Sequence, residues 1–175
     1  YEMIAYLKRS DIFVTACTNG DVIDPAALVA SGMDEIVFQL GGVTQENHVR
    51  YRKNSQLDRI LENIREVIRI RSALGTATPI VKLGFIIMKH NEHEVQAFFE
   101  LAKQLAVDHA EVVNTGVRTY EQAKEYLPSD DRYWNYSPEA FNKGILTPRV
   151  QLHNSCSWIY YSSVITVNGD VVPCC

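Results

Sequence analysis

The sequence predicts an α/β protein in which a parallel sheet of βα units is followed by a β-hairpin. Three observations carry that prediction. Four short apolar runs alternate with three segments of helical periodicity, and the loops between them close on Gly, Asn and Ser. Strands and helices alternating at conventional lengths form right-handed crossovers around a parallel sheet. At the far end, Asn168-Gly169 lies between two runs rich in β-branched residues. Asn-Gly is the strongest short-range signal for a two-residue hairpin turn, because both turn residues must tolerate positive φ.

In chain order, Met3, Ile4 and Leu7 fall on one face of an opening helix. Asp11 to Cys17 (DIFVTAC) is a mostly apolar run that reads as a buried strand, and Thr18-Asn19-Gly20 breaks it. Asp24-Pro25 supplies an N-cap and a proline at the first helical position, so a short helix spans Pro25 to Ser31 and stops at Gly32. Glu35 to Leu40 (EIVFQL) is the second strand, closed by Gly41-Gly42. Val43 to Asn54 reads as a polar loop, with Ser55 as the N-cap of a helix from about Gln56 to Ser72. Leu57, Ile60, Leu61, Ile64, Val67 and Ile68 make that helix the clearest amphipathic pattern in the chain. Ile80 to Met88 is the third strand, Glu92 to Ala106 the next helix, and Asp108 to Asn114 the fourth strand. From Val117 to Gln151 the alternation fails, and Tyr133, Trp134, Tyr136 and Phe141 mark an aromatic-rich linker with short helices that packs on a neighbouring surface.

The 175 residues suffice for a sizeable core, and 46% hydrophobic with 22% charged residues is ordinary for a folded domain. A net charge of -4, with short basic clusters interleaved by acids, argues against nucleic-acid binding. No secretory signal and no apolar run of about eighteen residues is visible, so export and membrane spanning are disfavoured and a cytoplasmic location is expected. Tyr1 falls inside a helical pattern and Cys175 ends the chain where a cysteine site should continue, so the expectation is an internal segment of a longer protein.

Three of the four cysteines crowd the end of the chain at Cys156, Cys174 and Cys175. Vicinal cysteines pair only in strained geometry. Without a sign of secretion, clustered thiols point to metal or redox chemistry. Adjacent strand residues face opposite ways, so the role of Cys175 beside Cys174 stays open. Cys17 reads as a small hydrophobe packed in its strand, and His90 and His93 as surface histidines. Ligands of open parallel sheets bind at the carboxyl ends of the strands. Those ends, Thr18 to Gly20, Gln39 to Gly42, Met88 to Asn91 and Asn114 to Gly116, are rich in small and amide-bearing residues that suit a polar organic ligand.

In this order and spacing, the motifs resemble those of radical S-adenosylmethionine enzymes with a C-terminal SPASM domain. Cys156, twelve residues, Gly169, four residues and Cys174 fit the opening of that domain. Thr18-Asn19-Gly20, Ser31-Gly32-Met33-Asp34 through Gly42, the His48 to Tyr51-Arg52 loop, and Gly84 to Glu92 (GFIIMKHNE) are similar to successive barrel segments of that family. The Ser-x-Asp-Gly of many relatives stands here as Gln39-Leu40-Gly41-Gly42, and the CxxxCxxC motif and later SPASM cysteines are absent from the chain.

The resemblance implies the later part of a partial (β/α)6 TIM-like barrel over residues 1–116. A linker over 117–151 and the start of a SPASM domain over 152–175 would follow. It implies S-adenosyl-L-methionine bound by Thr18, Asn19, Gln39, Arg52, Asn91 and Asn114, and an auxiliary 4Fe–4S cluster held by Cys156 and Cys174, with Cys175 a further candidate. The core 4Fe–4S cluster would take its ligands from outside this chain. The intact protein would generate a 5′-deoxyadenosyl radical for hydrogen abstraction from a peptide or small-molecule substrate, fed by an electron donor such as flavodoxin or ferredoxin. This chain alone is expected to be inactive. Arg52 reads equally well as a carboxylate partner or as a solvated arginine. Asn19 also reads as a turn former, and Asn91 as a helix N-cap. Two other classes stay open: a non-catalytic binding module cross-linked by zinc, and an ordinary α/β barrel enzyme with incidental cysteines.

Overall fold

A computed structural model describes residues 1–150 and 155–173. Strands β1 (Thr15–Thr18), β2 (Glu35–Leu40), β3 (Ile80–Ile87) and β4 (His109–Asn114) form one sheet in sequential order, every pair parallel. Helices α2 (Pro25–Ala30), α4 (Leu57–Ala73) and α5 (Val95–Leu105) connect them, after a short α1 (Glu2–Leu7). This is an α/β arrangement of the kind a partial TIM-like barrel uses.

The core sits on one face of the sheet. Ile36, Phe38 and Leu40 of β2 and Val81, Leu83, Phe85 and Ile87 of β3 point to it by alternation. Leu28 of α2, Ile60, Ile64 and Val67 of α4, and Phe98 and Leu105 of α5 cover them. Phe85 and Phe98 meet with ring centroids 5.1 Å apart. The opposite face has no helical cover among the described residues. It carries Thr15 and Cys17, Glu35 and Gln39, Lys82 and Gly84, and His109 and Glu111 on successive strands. Lys82 Nζ lies 2.6 Å from Glu35 Oε2, and Thr15 Oγ1 donates to Glu35 Oε1 at 3.1 Å. Parallel sheets are normally buried on both faces; here the second face mixes these polar residues with Val37, Ile80, Ile86 and Val113, an arrangement compatible with a partial barrel.

Several local expectations change. Strand β1 starts later than the apolar run Asp11 to Cys17 and ends at Thr18, while Asp11 itself is left-handed (φ 53) and closes the preceding 3-10 turn. Cys17 is exposed on the open face rather than packed in the core. The expected loop after Gly42 contains a helix, α3 (Gln45–Tyr51), whose N-terminus is capped by Thr44 accepting from Asn47 N–H. Ser55 is not the cap of α4. That position is Gln56, and the Ser55 hydroxyl is engaged elsewhere. The helix expected from Glu92 begins as a 3-10 turn, Glu92–Glu94, before α5.

In the linker, α6 (Tyr120–Tyr126) and α7 (Pro138–Phe141) flank an aromatic cluster in which the Phe141 ring sits 4.8 Å from both Tyr120 and Trp134. The terminal hairpin pairs β5 (Val164–Ile165) with β6 (Val171–Val172), antiparallel. Its loop is longer than the expected two-residue turn. Gly169 N–H bonds Thr166 O at 3.0 Å, Thr166 N–H bonds Asp170 O at 2.9 Å, and Gly169 alone of the Asn-Gly pair has positive φ (85). That is a three-residue loop closed by a left-handed glycine. No helix among the described residues is long and apolar enough to cross a membrane.

Candidate functional site

The carboxyl ends of the strands form the candidate site, and the end of β2 is its best-fixed part. Gly41 N–H donates to His48 Nδ1 at 3.3 Å. A backbone amide can only donate, so Nδ1 accepts and the proton of the neutral ring sits on Nε2. Nε2 lies 2.8 Å from Ser55 Oγ, whose own proton goes to Asp21 Oδ2 at 2.7 Å. Asp21 Oδ1 accepts in turn from Gln56 N–H at 2.9 Å. One directed run of hydrogen bonds thus ties the stretch from Gly41 to Gln56 together and anchors it to Asp21, 34 residues before Ser55. His48 is fully buried. Burial holds its pKa below the ordinary value, Asp21 pulls it up and Arg52 pushes it down, and the net direction is downward. The ring is therefore neutral at neutral pH.

Two further buried side chains complete this corner. Asn91, 0% exposed, donates from Nδ2 to Gly41 O at 2.8 Å and to Ile86 O at 2.9 Å, and accepts from Met88 N–H at 2.7 Å. Both amide protons are committed to backbone, so Asn91 ties the end of β2 to the end of β3. It occupies the N-cap position of the Glu92–Glu94 turn but makes no capping bond there. Glu94, 4% exposed, accepts from Val43 N–H at 3.0 Å, Thr44 Oγ1 at 2.8 Å and Asn47 Nδ2 at 2.9 Å, fixing the start of α3. A Cβ at Gly42 would fall 2.6 Å from His48 N, which is why the chain needs glycine where α3 crosses.

The remaining expected residues lie around this corner. Thr18 Oγ1 accepts from Gly20 N–H at 3.0 Å and Asn19 Oδ1 from Asp21 N–H at 3.3 Å, so both shape the turn after β1. Arg52 follows α3, with its guanidinium 4.9 Å from the centre of the Tyr51 ring. Asn114, at the end of β4, donates to Asn135 Oδ1 of the linker at 3.1 Å. Thr115 Oγ1 donates to Ile87 O, joining the ends of β3 and β4.

Three buried polar atoms lack a hydrogen-bond partner among the described residues: Gln39 Oε1, Arg52 Nε and His90 Nε2. Gln39 lies at the end of β2, His90 follows β3, and Arg52 is the C-cap of α3. The half-buried His90 departs from the expected surface histidine, and burial, then Arg50, hold its pKa below the ordinary value. Natural structures rarely leave buried polar atoms unpaired, so each calls for an explanation, of which an ordered water or a bound ligand is one. A polar organic ligand matches these donors and acceptors. A bare metal does not, and no group of three metal-ligating side chains occurs among the described residues.

Cys156 is exposed and precedes a short 3-10 turn, Ser157–Tyr160. Cys174 and Cys175, the other expected cluster ligands, lie outside the described residues. The sequence reasoning missed Asp21 and Glu94, and gave Ser55 a different job. Their common signal is a polar residue flanking a motif, where it can bond a backbone group of the neighbouring loop.

No family model matches the chain. It is 28% identical over 102 residues to a probable GTP 3′,8-cyclase of Saccharolobus islandicus (strain L.S.2.15 / Lassen #1), covering 57% of this chain and 31% of the relative. A probable GTP 3′,8-cyclase of Saccharolobus solfataricus (strain P2) is 28% identical over 117 residues, covering 64% of this chain and 35% of the relative. The matched stretch is thus about a third of the length of these curated relatives. The similarity supports a relationship with radical S-adenosylmethionine enzymes, the group to which the strand-end motifs pointed.

Proposed function

We propose that this chain contributes the later barrel strands of a radical S-adenosylmethionine enzyme, and that S-adenosylmethionine binds across the carboxyl ends of β1 to β4. The observation that carries the proposal is the pair of unpartnered buried atoms there, Gln39 Oε1 and Arg52 Nε. They suit the two ends of that ligand, which presents hydroxyl and ammonium donors and a carboxylate acceptor. Arg52 holds the carboxylate, for which a guanidinium fork is the matching shape. Gln39 accepts from a donor, and the turn of Thr18 and Asn19 bounds the far side. Asn91 and His48 set the backbone of Gly41 from beneath. Asn114 closes the rim next to β4. S-adenosylmethionine held here would supply, on one-electron reduction by an iron–sulfur cluster whose ligands lie outside this chain, the carbon radical that takes hydrogen from a peptide or small-molecule substrate.

We extend the proposal to the end of the chain: Cys156 and Cys174 are two thiolates of an auxiliary 4Fe–4S cluster in a SPASM domain, a cluster type usually held by four thiolates. The resemblance of the cysteine spacing supports this part. The test is equilibrium binding of S-adenosylmethionine to the chain. Wild type is expected to bind, and Arg52→Ala to weaken binding about 10-fold or more, as loss of a charge-assisted hydrogen bond does. Equal binding by wild type and Arg52→Ala would remove Arg52 from the site, and no binding by either would overturn the proposal.

A further inference from the structure

Helix α3 is seven residues long and mostly polar, and His48 is its buried residue. So short a helix is not stable by itself, and an apolar face normally docks it. Polar bonds dock this one. Glu94, 4% exposed, is paired with no cation among the described residues. Its Oε2 accepts from Val43 N–H, and its Oε1 from Thr44 Oγ1 and Asn47 Nδ2, so all three donors lie within residues 43–47. Burying a carboxylate is costly unless its oxygens are hydrogen-bonded. The Thr44 hydroxyl gives its one proton to Glu94 and is left to accept from Asn47 N–H at 3.4 Å. Glu94 thus sets the direction of the cap as well as the place where the helix starts. At the other end, a Cβ at Gly41 would fall 3.0 Å from Tyr51 Cβ, so Tyr51 rests on the Gly41 backbone. Arg52 N–H bonds His48 O at 2.8 Å, and its guanidinium lies over the Tyr51 ring.

We infer that Glu94 is the positioning residue for Arg52: it latches the start of α3, and α3, seated on Gly41 and Gly42, carries that placement to the guanidinium at its far end. The two residues act at opposite ends of a helix about 10 Å long. Glu94 has both oxygens engaged and meets no ligand itself. Its effect is therefore confined to whatever Arg52 holds, the carboxylate end of the ligand. This inference rests on the proposed cofactor site and adds to it a residue that acts from outside.

The test is calorimetric titration of the chain with two probes that are not cleaved. S-adenosylhomocysteine carries the amino-acid carboxylate, and 5′-methylthioadenosine lacks it. Glu94→Gln turns an amide donor against one of the three donors, and is expected to weaken S-adenosylhomocysteine about 10-fold while 5′-methylthioadenosine stays within about 2-fold of wild type. In an Arg52→Ala background the same change should weaken S-adenosylhomocysteine no further. Hydrogen exchange of the α3 amides should speed up about 10-fold in Glu94→Gln, with β3 and β4 unchanged. If Glu94→Gln fails to fold, Thr44→Val decides alone: it removes a single one of the three bonds, together with the cap, and should show the same selectivity between probes. Equal weakening of both probes, a further loss on top of Arg52→Ala, or unchanged S-adenosylhomocysteine binding would overturn the inference while leaving the cofactor site standing. No binding of either probe by wild type would overturn both.

Discussion

Asn91, His48 and Glu94 are buried polar side chains whose described partners are uncharged, the Ser55 link to Asp21 apart; Asn91 and Glu94 join segments about fifty residues apart, and His48 closes the loop between Gly41 and Ser55. Burying such groups is tolerable only while every bond is made, and an unsatisfied buried partner costs about 1–3 kcal/mol. Asn91→Leu strands Met88 N–H and two carbonyls, so it should destabilise by about 2–3 kcal/mol in urea melts. A loss below about 0.5 kcal/mol would show that water replaces the amide. His48 adds a pH dependence. Its folded pKa is depressed, so the unfolded chain takes up a proton more readily. The stability due to neutral His48 is complete above about pH 6.5 and is lost as pH falls from there through the depressed folded value. The groups named against the ring are the Asp21 carboxylate, which opposes the shift, and Arg52, which reinforces it. Denaturant melts across that window should show stability falling with acid, and His48→Gln should flatten the slope. His90, also depressed, supplies what remains. An unchanged slope in His48→Gln would mean that His48 takes up its proton alike in the folded and unfolded chain.

At the scale of the element, packing rather than capping carries the fold. Phe98 of α5 is fully buried against Phe85 of β3, and Phe98→Ala should cost about 3–5 kcal/mol, read as a shift in the urea midpoint. The bounds of β2 and the inner face of α4 were legible in the sequence because both obey strong periodicities, two for the strand and 3.6 for the helix. Helix α3 was not. Gln45 to Tyr51 is polar on nearly every face, and what stabilises it is tertiary: Glu94, forty-seven residues or more away, accepts from Val43, Thr44 and Asn47. The hairpin was legible as an element but not as a loop type, because Asn-Gly serves both two-residue and three-residue loops, and the choice falls to the Thr166–Asp170 pairing. Much the same held for the site. Thr18, Asn19, Gln39, Asn91 and Asn114 were visible as polar residues at strand ends and Arg52 as part of a loop motif, but whether a side chain bonds backbone or stays unpartnered depends on neighbours that no short motif contains.

For the molecule as a whole, the sheet has one covered face and one open face. Cys17, expected inside, is exposed on the open side. The cysteine chemistry proposed for the end of the chain can be probed without structural knowledge of Cys174 and Cys175. After anaerobic reconstitution with iron and sulfide, the chain is expected to show the broad visible absorption of an iron–sulfur cluster, and Cys156→Ser to lose it. A colourless protein carrying stoichiometric zinc would favour the structural cross-link instead, and equal metal content in wild type and Cys156→Ser would make the cysteine incidental.

The one-sided core has a consequence for how such a chain can change over time. Cohesion resides in Phe38, Leu40, Leu83, Phe85 and their helical partners, all on the covered side. In the proposed cofactor site the residues that meet a ligand alternate with them along the same strands, one position away but facing the other direction. There a substitution at Gln39 would alter what the protein recognises with little effect on what holds it together, while its immediate neighbour Phe38 tolerates almost nothing. The two-residue repeat of the strand thus separates heritable variation into a conservative register and a permissive one, and new specificities can be explored in the second without risking the first.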